Sequence, residues 1–213
     1  MHHIIIINYT YHDNCHTADQ WLADATYLTD WAESVQGSDV KVTVFQRFTT
    51  ETVIHRANVT YHLIMDGFGA TPHPWQIPRR LHWSAYVLCT ASLQAGYATL
   101  VHINGLHFPF QILHVRSILP ASCAVTVQHH GEQPWPLPQR LLQQWSLRQI
   151  DGFIFASAAL AQTWVQPKVI GAQRAIYTIP HPSTGSTQAG AHPQTRAIYE
   201  EIFFQRGIAL GKT

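Results

Sequence analysis

Charge is what this sequence has least of. Only 12% of its 213 residues are Asp, Glu, Lys or Arg, with 12 acids against 13 bases and a net charge of +1. No basic run is longer than the pair Arg79-Arg80, so the electrostatic footprint that a phosphate backbone requires is missing, which argues against nucleic acid as a partner. Cysteine is scarce too. Cys15, Cys89 and Cys123 are odd in number and far apart, with no Cys-x-x-Cys, which argues against a disulfide framework and against a thiolate zinc site and points to a reducing, cytoplasmic setting. The apolar run near the N-terminus is four isoleucines, residues 4–7, too short for a signal segment or a membrane span, so a soluble chain without a transmembrane segment is expected.

Several catalytic patterns are also missing. There is no Gly-x-Ser-x-Gly, and Ser157 in "FASAAL" lacks the glycines of a nucleophile elbow. The phosphate-loop pattern is absent as well: "GIALGKT" sets Gly207 and Gly211 four apart instead of five and opens no helix.

What the chain does have is an apolar fraction of 46% and 15 histidines, more than either its acids or its Lys plus Arg total. Its charge therefore rises as pH falls through the histidine range. Short β-branched runs alternate with amphipathic stretches. Residues 4–9 read as a buried strand, and Trp21, Leu22, Ala25, Leu28, Ala32 and Val35 in "WLADATYLTDWAESV" fall at helical spacing. Gly37-Ser38-Asp39 stops that helix; Val40, Val42 and Val44 alternate in the next strand, and "TVIHRA" and "VTYHLIMDG", split at Asn58, form a ribbon near the sheet edge. A helix from about Pro78 to Gly96, a strand around residues 99–101, and the pairs that follow ("FQILHVRSIL" and "CAVTVQHH", "PQRLLQQWSLRQI" and "GFIFAS", "AALAQTWV" and "RAIYTIP") continue the pattern. The expected fold class is α/β: a Rossmann-like, doubly wound, mostly parallel sheet with helices on both faces. Trp21, Trp31, Trp83, Trp145 and Trp164 lie in helical patterns and are expected in the core, while Trp75 and Trp135 sit in proline-flanked loops that could face a ligand. After residue 182 comes a small, polar linker, then a helix over residues 196–206 whose stripe of Ile198, Ile202, Phe203 and Phe204 needs a surface to dock on.

In an open parallel sheet, ligands bind outside the carboxyl ends of the strands. The first strand ends in Asn8-Tyr9-Thr10-Tyr11-His12-Asp13. Two later strands end in His102-Ile103-Asn104-Gly105-Leu106-His107 and Gln128-His129-His130-Gly131-Glu132, and Ser157 and His181 follow the last two. Polar and titratable groups thus gather at one rim, although a histidine at a strand end is often only a hydrogen-bonded cap. Adjacent His129 and His130 on an extended strand point to opposite faces, so they do not ligate one ion, and no His-x-His or His-x-x-x-His pair accompanies them. No metal is expected there; a metal-dependent hydrolase built on the rim is the weakest of the readings.

The run "TLVHINGLHFPFQILHVRSILPASCAVTVQHHGEQPW", followed by "DGFIFASAALAQTWV" and "AIYTIPHPST", resembles the N-terminal domain of family 4 glycosyltransferases of the GT-B fold, over about residues 4–184. The resemblance implies that residues 1–182 form a Rossmann-like acceptor-side domain, with residues 183–213 a linker and C-terminal helix. It implies a role for His129 beside the donor sugar, as the catalytic candidate, with Asn104, Gly105 and Ser157 facing the cleft. His12 and Asp13 lie in the loop where many members carry a Gly-Gly pair against the diphosphate, and here that pair is absent. His130 and Glu132 join the substrate-binding candidates as neighbours of His129. By the same resemblance this domain holds no cofactor, the nucleotide-sugar donor belongs to a second domain, and the tail after Pro182 is too short to supply one. The expected partners are a sugar or lipid-linked acceptor and a separate donor-binding chain or a second copy. Two readings therefore stay open: the acceptor-side half of a retaining hexosyl transferase, inactive alone, or a non-catalytic ligand-binding or interaction module on the same scaffold.

Overall fold

The computed structural model describes residues 1–12, 14–35, 37–68, 76–106, 108–179 and 193–207. Eight strands are β1 His2–Asn8, β2 Val40–Phe48, β3 Thr52–Arg56, β4 Val59–Met65, β5 Ala98–Asn104, β6 Ala124–Gln128, β7 Gly152–Phe155 and β8 Ala175–Thr178. The helices are α1 Ala18–Asp24, α2 Thr26–Val35, α3 Arg79–Gln94, α4 Pro109–Ile118, α5 Arg140–Leu147, α6 Ala158–Val165 and α7 Pro193–Gln205. The strands form one sheet in the order β3-β4-β2-β1-β5-β6-β7-β8, parallel throughout except for the antiparallel edge strand β3. The hairpin that turns β3 into β4 places Ala57 and Asn58 at φ of 49° and 65°, the left-handed pair a tight two-residue turn requires.

Strand alternation divides the core in two. Ile5 and Ile7 of β1, Phe45 of β2, Val101 and Ile103 of β5, and Val125 and Val127 of β6 face α3, α4, α5 and α6. Ile4, Ile6, Val42, Val44, Leu100 and Ala124 face α1, α2 and α7. Ile4 to Ile7 of β1 are each at most 1% exposed, which is why that strand is a continuous apolar run and not an alternation. Burying each such side chain contributes about 1.5–3 kcal/mol.

Three expectations change in detail. The helix read through residues 21–35 is two helices. α1 ends at Asp24 and the backbone turns at Ala25, whose N–H still bonds Trp21 O at 2.8 Å while its own carbonyl accepts from Thr29 N at 3.0 Å. The bend keeps Trp21, Leu28, Trp31 and Ala32 on one face, so the helical spacing runs through it unbroken. Trp83 and Trp145 are not core residues: at 61% and 55% exposure they stand on the outer faces of α3 and α5. α7 docks within the chain through Ile198, Tyr199, Ile202 and Phe203, whereas Phe204 is 72% exposed. Gly152 permits the approach, since a Cβ there would lie 3.0 Å from Ile202 Cδ1.

Candidate functional site

The carboxyl edge is built from strand register. Asn8 pairs in register with Gln46 on one side and with Asn104 on the other, and Asn104 pairs with Gln128. Residues in register share a face, so four amides line up across β2, β1, β5 and β6, at the last position of β1, β5 and β6 and two residues before the end of β2. All four are at most 7% exposed, and Asn8 Nδ2 donates to Gln46 Oε1 at 2.7 Å. An apolar row would serve a purely structural sheet without the cost of desolvating amides.

One turn below the edge, a buried chain fixes Asn104. Trp31 Nε1 donates to the Tyr199 hydroxyl at 2.9 Å, Tyr199 Oη lies 2.5 Å from His102 Nδ1, and His102 Nε2 donates to Asn104 Oδ1 at 2.9 Å. Because Asn104 Oδ1 only accepts, His102 carries its proton on Nε2 and receives the Tyr199 O–H on Nδ1. Burial is the main cause that pushes the His102 pKa down to about 3, with the charge of His130 adding to it, so the ring is neutral near neutrality. Gly105 follows at φ of +108°, its N–H bonded to Gln128 O at 2.9 Å, and a Cβ would meet Phe108 Cε2 at 2.9 Å. Only glycine fits that turn without strain.

The β6 end divides by parity. His129 continues the Val125 and Val127 face, so its ring enters the layer under α6, tilted on Phe155 at 5.1 Å and edge-on to Trp164 at 6.0 Å. It is 2% exposed, Nε2 donates to Glu132 O at 2.8 Å and Nδ1 accepts from Gly131 N at 3.2 Å. The sequence reading aimed His129 into the cleft; in the structure the ring is closed in by its own loop. His130 takes the opposite side, exposed at the rim and edge-on to Tyr27 at 5.5 Å, and Tyr27 accepts from Gln128 Nε2. The Glu132 carboxylate turns inward and accepts from Leu106 N at 3.2 Å and His130 N at 2.6 Å, tying the β5 and β6 loops together. Ser157 caps α6, its hydroxyl accepting from Leu160 N at 3.3 Å, which leaves its O–H to donate. Asp13, Trp75, His107 and His181 lie outside the described residues. Trp135 is half-buried, with its N–H held by Gln143 Oε1 at 2.7 Å.

The same edge holds groups that the sequence reading missed. Arg47, at the end of β2, forms a buried ion pair with Asp66 after β4 and donates to Tyr9 O at 3.2 Å. Beside it, Met65, Phe68, Ile77, Pro78, Arg79 and Arg80 line a cleft of about 610 Å3. The Tyr9 hydroxyl bonds His82 Nε2 at 2.8 Å, and His82 Nδ1 lies 2.9 Å from His114 Nδ1. His12 reaches Asp24 instead of the central row, at 2.5 Å from Nδ1 to Oδ2. None of these partners is near its mate in sequence, so no motif spacing marks them; the local signal is the polar pair Gln46-Arg47 near the end of a strand that opens on alternating valines.

No known family model matches the sequence, and no curated protein matches it. Among solved structures, the chain is similar to a sucrose-phosphate synthase structure from Thermosynechococcus elongatus, over 96% of this chain and 97% of that one, at 13% identity and a TM-score of 0.52. The chain shares the Rossmann-like α/β fold of that structure. A second structure of the sucrose-phosphate synthase from that organism matches over 83% of this chain at 14% identity and a TM-score of 0.50, and the match spans 47% of its length. At such identities the likeness concerns the fold. Among the described residues, no helix is long and apolar enough to cross a membrane.

Proposed function

We propose that this chain is the acceptor-side, N-terminal unit of a retaining glycosyltransferase of the family 4, GT-B type, which uses a nucleotide sugar held by a separate donor-binding unit and turns over little or nothing alone. The observation that supports this reading is the row Gln46, Asn8, Asn104 and Gln128 at the carboxyl edge of a glycosyltransferase-like sheet. Neutral amides, with Asn104 fixed from below by His102, suit sugar hydroxyls, which both donate and accept. Asn104 and Ser157, with Gly105 allowing close backbone approach and His130 at the rim, position the acceptor. The departing donor phosphate assists removal of the acceptor proton, so this unit contributes orientation more than acid-base chemistry. His129 contacts the reacting sugar once the His130 to Glu132 loop swings away and frees Nε2 from Glu132 O. His12 and Asp13 extend the site along the β1 loop. The acceptor is a sugar or a lipid-linked sugar, met in the cytoplasm, and the second unit is another chain or a second copy.

A second reading is favoured by one observation. His129 and Glu132 spend polar atoms on the backbone of the β5 and β6 loops, as they would in a non-catalytic ligand-binding or interaction module. Transfer from a panel of nucleotide sugars to sugar and lipid-linked acceptors, with this chain alone and combined with a donor-binding partner chain, separates the two. Turnover in the combination that falls at least about 100-fold with Asn104→Ala supports the transferase. Acceptor binding without turnover in any combination supports the module, and neither binding nor turnover removes both.

A further inference from the structure

The loop after β1 brings three different metal-binding donors together on one side of the sheet edge. His12 Nδ1 lies 2.5 Å from Asp24 Oδ2, Cys15 Sγ lies 3.7 Å from the same oxygen, and the three donor atoms all fall within 4.8 Å of one another. We propose that His12, Cys15 and Asp24 form a three-donor site for a divalent cation of zinc's kind, with its fourth position open to water or to an anionic oxygen of a ligand at the rim.

Tetrahedral zinc with sulfur at about 2.3 Å and nitrogen and oxygen at about 2.0 Å sets its donors about 3.3–3.5 Å apart. The Cys15 to Asp24 separation already approaches that spacing. The His12 to Asp24 pair is now joined by a proton and must open by less than about 1 Å when a cation takes the proton's place. Imidazole, thiolate and carboxylate together match the borderline-soft preference of zinc, whereas magnesium or calcium selects oxygen donors.

Each donor is tied to the surrounding fold. Cys15 N–H bonds His12 O at 3.1 Å, so the two loop donors sit in one turn. Cys15 is 4% exposed and packs in the core layer that contains Trp21. Asp24 closes α1, whose start is locked by a reciprocal box between Thr17 and Gln20. The carboxylate stands open to solvent at 60% exposure, which gives a cation a path in. Sequence spacing concealed the site because only His12 and Cys15 are close in the chain, and a single thiolate forms no cysteine motif.

The test needs no enzymatic activity. The full chain, stripped of metal and kept reduced, is titrated with Co2+, whose thiolate-to-metal charge-transfer absorption reports a bound cysteine, and Zn2+ is then used to displace it. One equivalent of Co2+ with that absorption is expected. Cys15→Ser should abolish it, Asp24→Asn and His12→Gln should weaken binding at least about 10-fold, and Cys89→Ser should leave it unchanged. His12→Gln and Asp24→Asn alter solvent-reachable side chains, so their folding is expected to be intact and far-ultraviolet circular dichroism checks it. Absence of charge transfer in the parent chain overturns the proposal. So does an absorption that survives Cys15→Ser, which would place the bound thiolate at Cys89 or Cys123, or Co2+ affinity indifferent to both His12→Gln and Asp24→Asn, which would place the other ligands elsewhere.

Discussion

Replacing Asp66 by Asn should be among the most damaging single changes at the carboxyl edge, although it alters one atom. Arg47 and Asp66 are 1% and 5% exposed, and the guanidinium bonds both carboxylate oxygens. Asp66→Asn removes the opposite charge and leaves Arg47 ionised in a place that water does not reach. Breaking one side of such a buried pair costs about 3–5 kcal/mol. Arg80 and Glu51 form the control: they lie nearby at 57% and 56% exposure, and Glu51→Gln should cost about 0–1 kcal/mol. The gap of about 3 kcal/mol is a change of more than about 100-fold in the folded-to-unfolded ratio. Urea unfolding followed by tryptophan fluorescence reads it as a lower midpoint at unchanged slope. Arg47→Met combined with Asp66→Leu should recover most of the loss, because no charge is then left buried. A midpoint for Asp66→Asn within about 0.5 kcal/mol of that for Glu51→Gln would refute the reasoning, since it would mean that Arg47 finds equivalent solvation elsewhere.

Further changes follow from the same kind of accounting. Burial depresses His82 and His102 to a pKa of about 3 and His3 to about 4, from an ordinary 6.5. Below 6.5 the unfolded chain takes up protons that the folded chain refuses, so stability is full above that pH and falls as pH drops toward the folded values, by up to about 1.4 kcal/mol per pH unit for each histidine. Urea midpoints that stay level between about pH 7 and pH 5 would contradict this. Gly105→Ala should cost about 1–3 kcal/mol through the positive φ and the Phe108 contact, read as a melting shift that Gly67→Ala, whose added Cβ meets nothing within 4 Å, does not reproduce. Tyr199→Phe strands Trp31 Nε1 and His102 Nδ1 in the core and should cost about 1–3 kcal/mol, with a change in His102 ring signals by NMR. On α7, Phe203→Ala should cost about 3–5 kcal/mol, while Phe204→Ala stays within about 0.5 kcal/mol; equal effects would mean that the helix docks by another face.

How much of this was legible depended on the distance over which each feature is encoded. Val40, Val42 and Val44 announce a strand because alternation is local, and Asn58 marks the hairpin because a left-handed turn favours that residue type. The layered sheet follows from the repetition of such units. Parity was legible for Val125 and Val127 but has to be carried two residues further to place His129: the alternation that buries the valines also buries that ring. Helical spacing across Ala25 did not reveal the bend, because a kink that keeps one face inward leaves the apolar positions in phase. Trp83 and Trp145 were misjudged since an aromatic ring at helical spacing can sit on the outer edge of the stripe. The Arg47–Asp66 pair, the Tyr9–His82–His114 chain and the Tyr199–His102 bond join residues 19 to 97 positions apart, and no local pattern encodes them.

The placement of α7 matters for more than packing. Its Tyr199 hydroxyl is the middle link between Trp31 of α2 and His102 of β5, so the helix supports the tautomer in which His102 Nε2 carries the proton. With Nδ1 accepting, Nε2 must donate, and Asn104 must turn its carbonyl inward and its amide N–H2 toward the rim. A donor and not an acceptor is thus presented at the carboxyl end of β5, in register with Asn8 and Gln128 on the flanking strands. Loss of Tyr199 leaves His102 free to take the other tautomer and Asn104 free to flip. The polarity of the central strand end is therefore written partly in a helix that contributes no residue to the rim itself, and a ligand that accepts from Asn104 would be felt as added stability in α7.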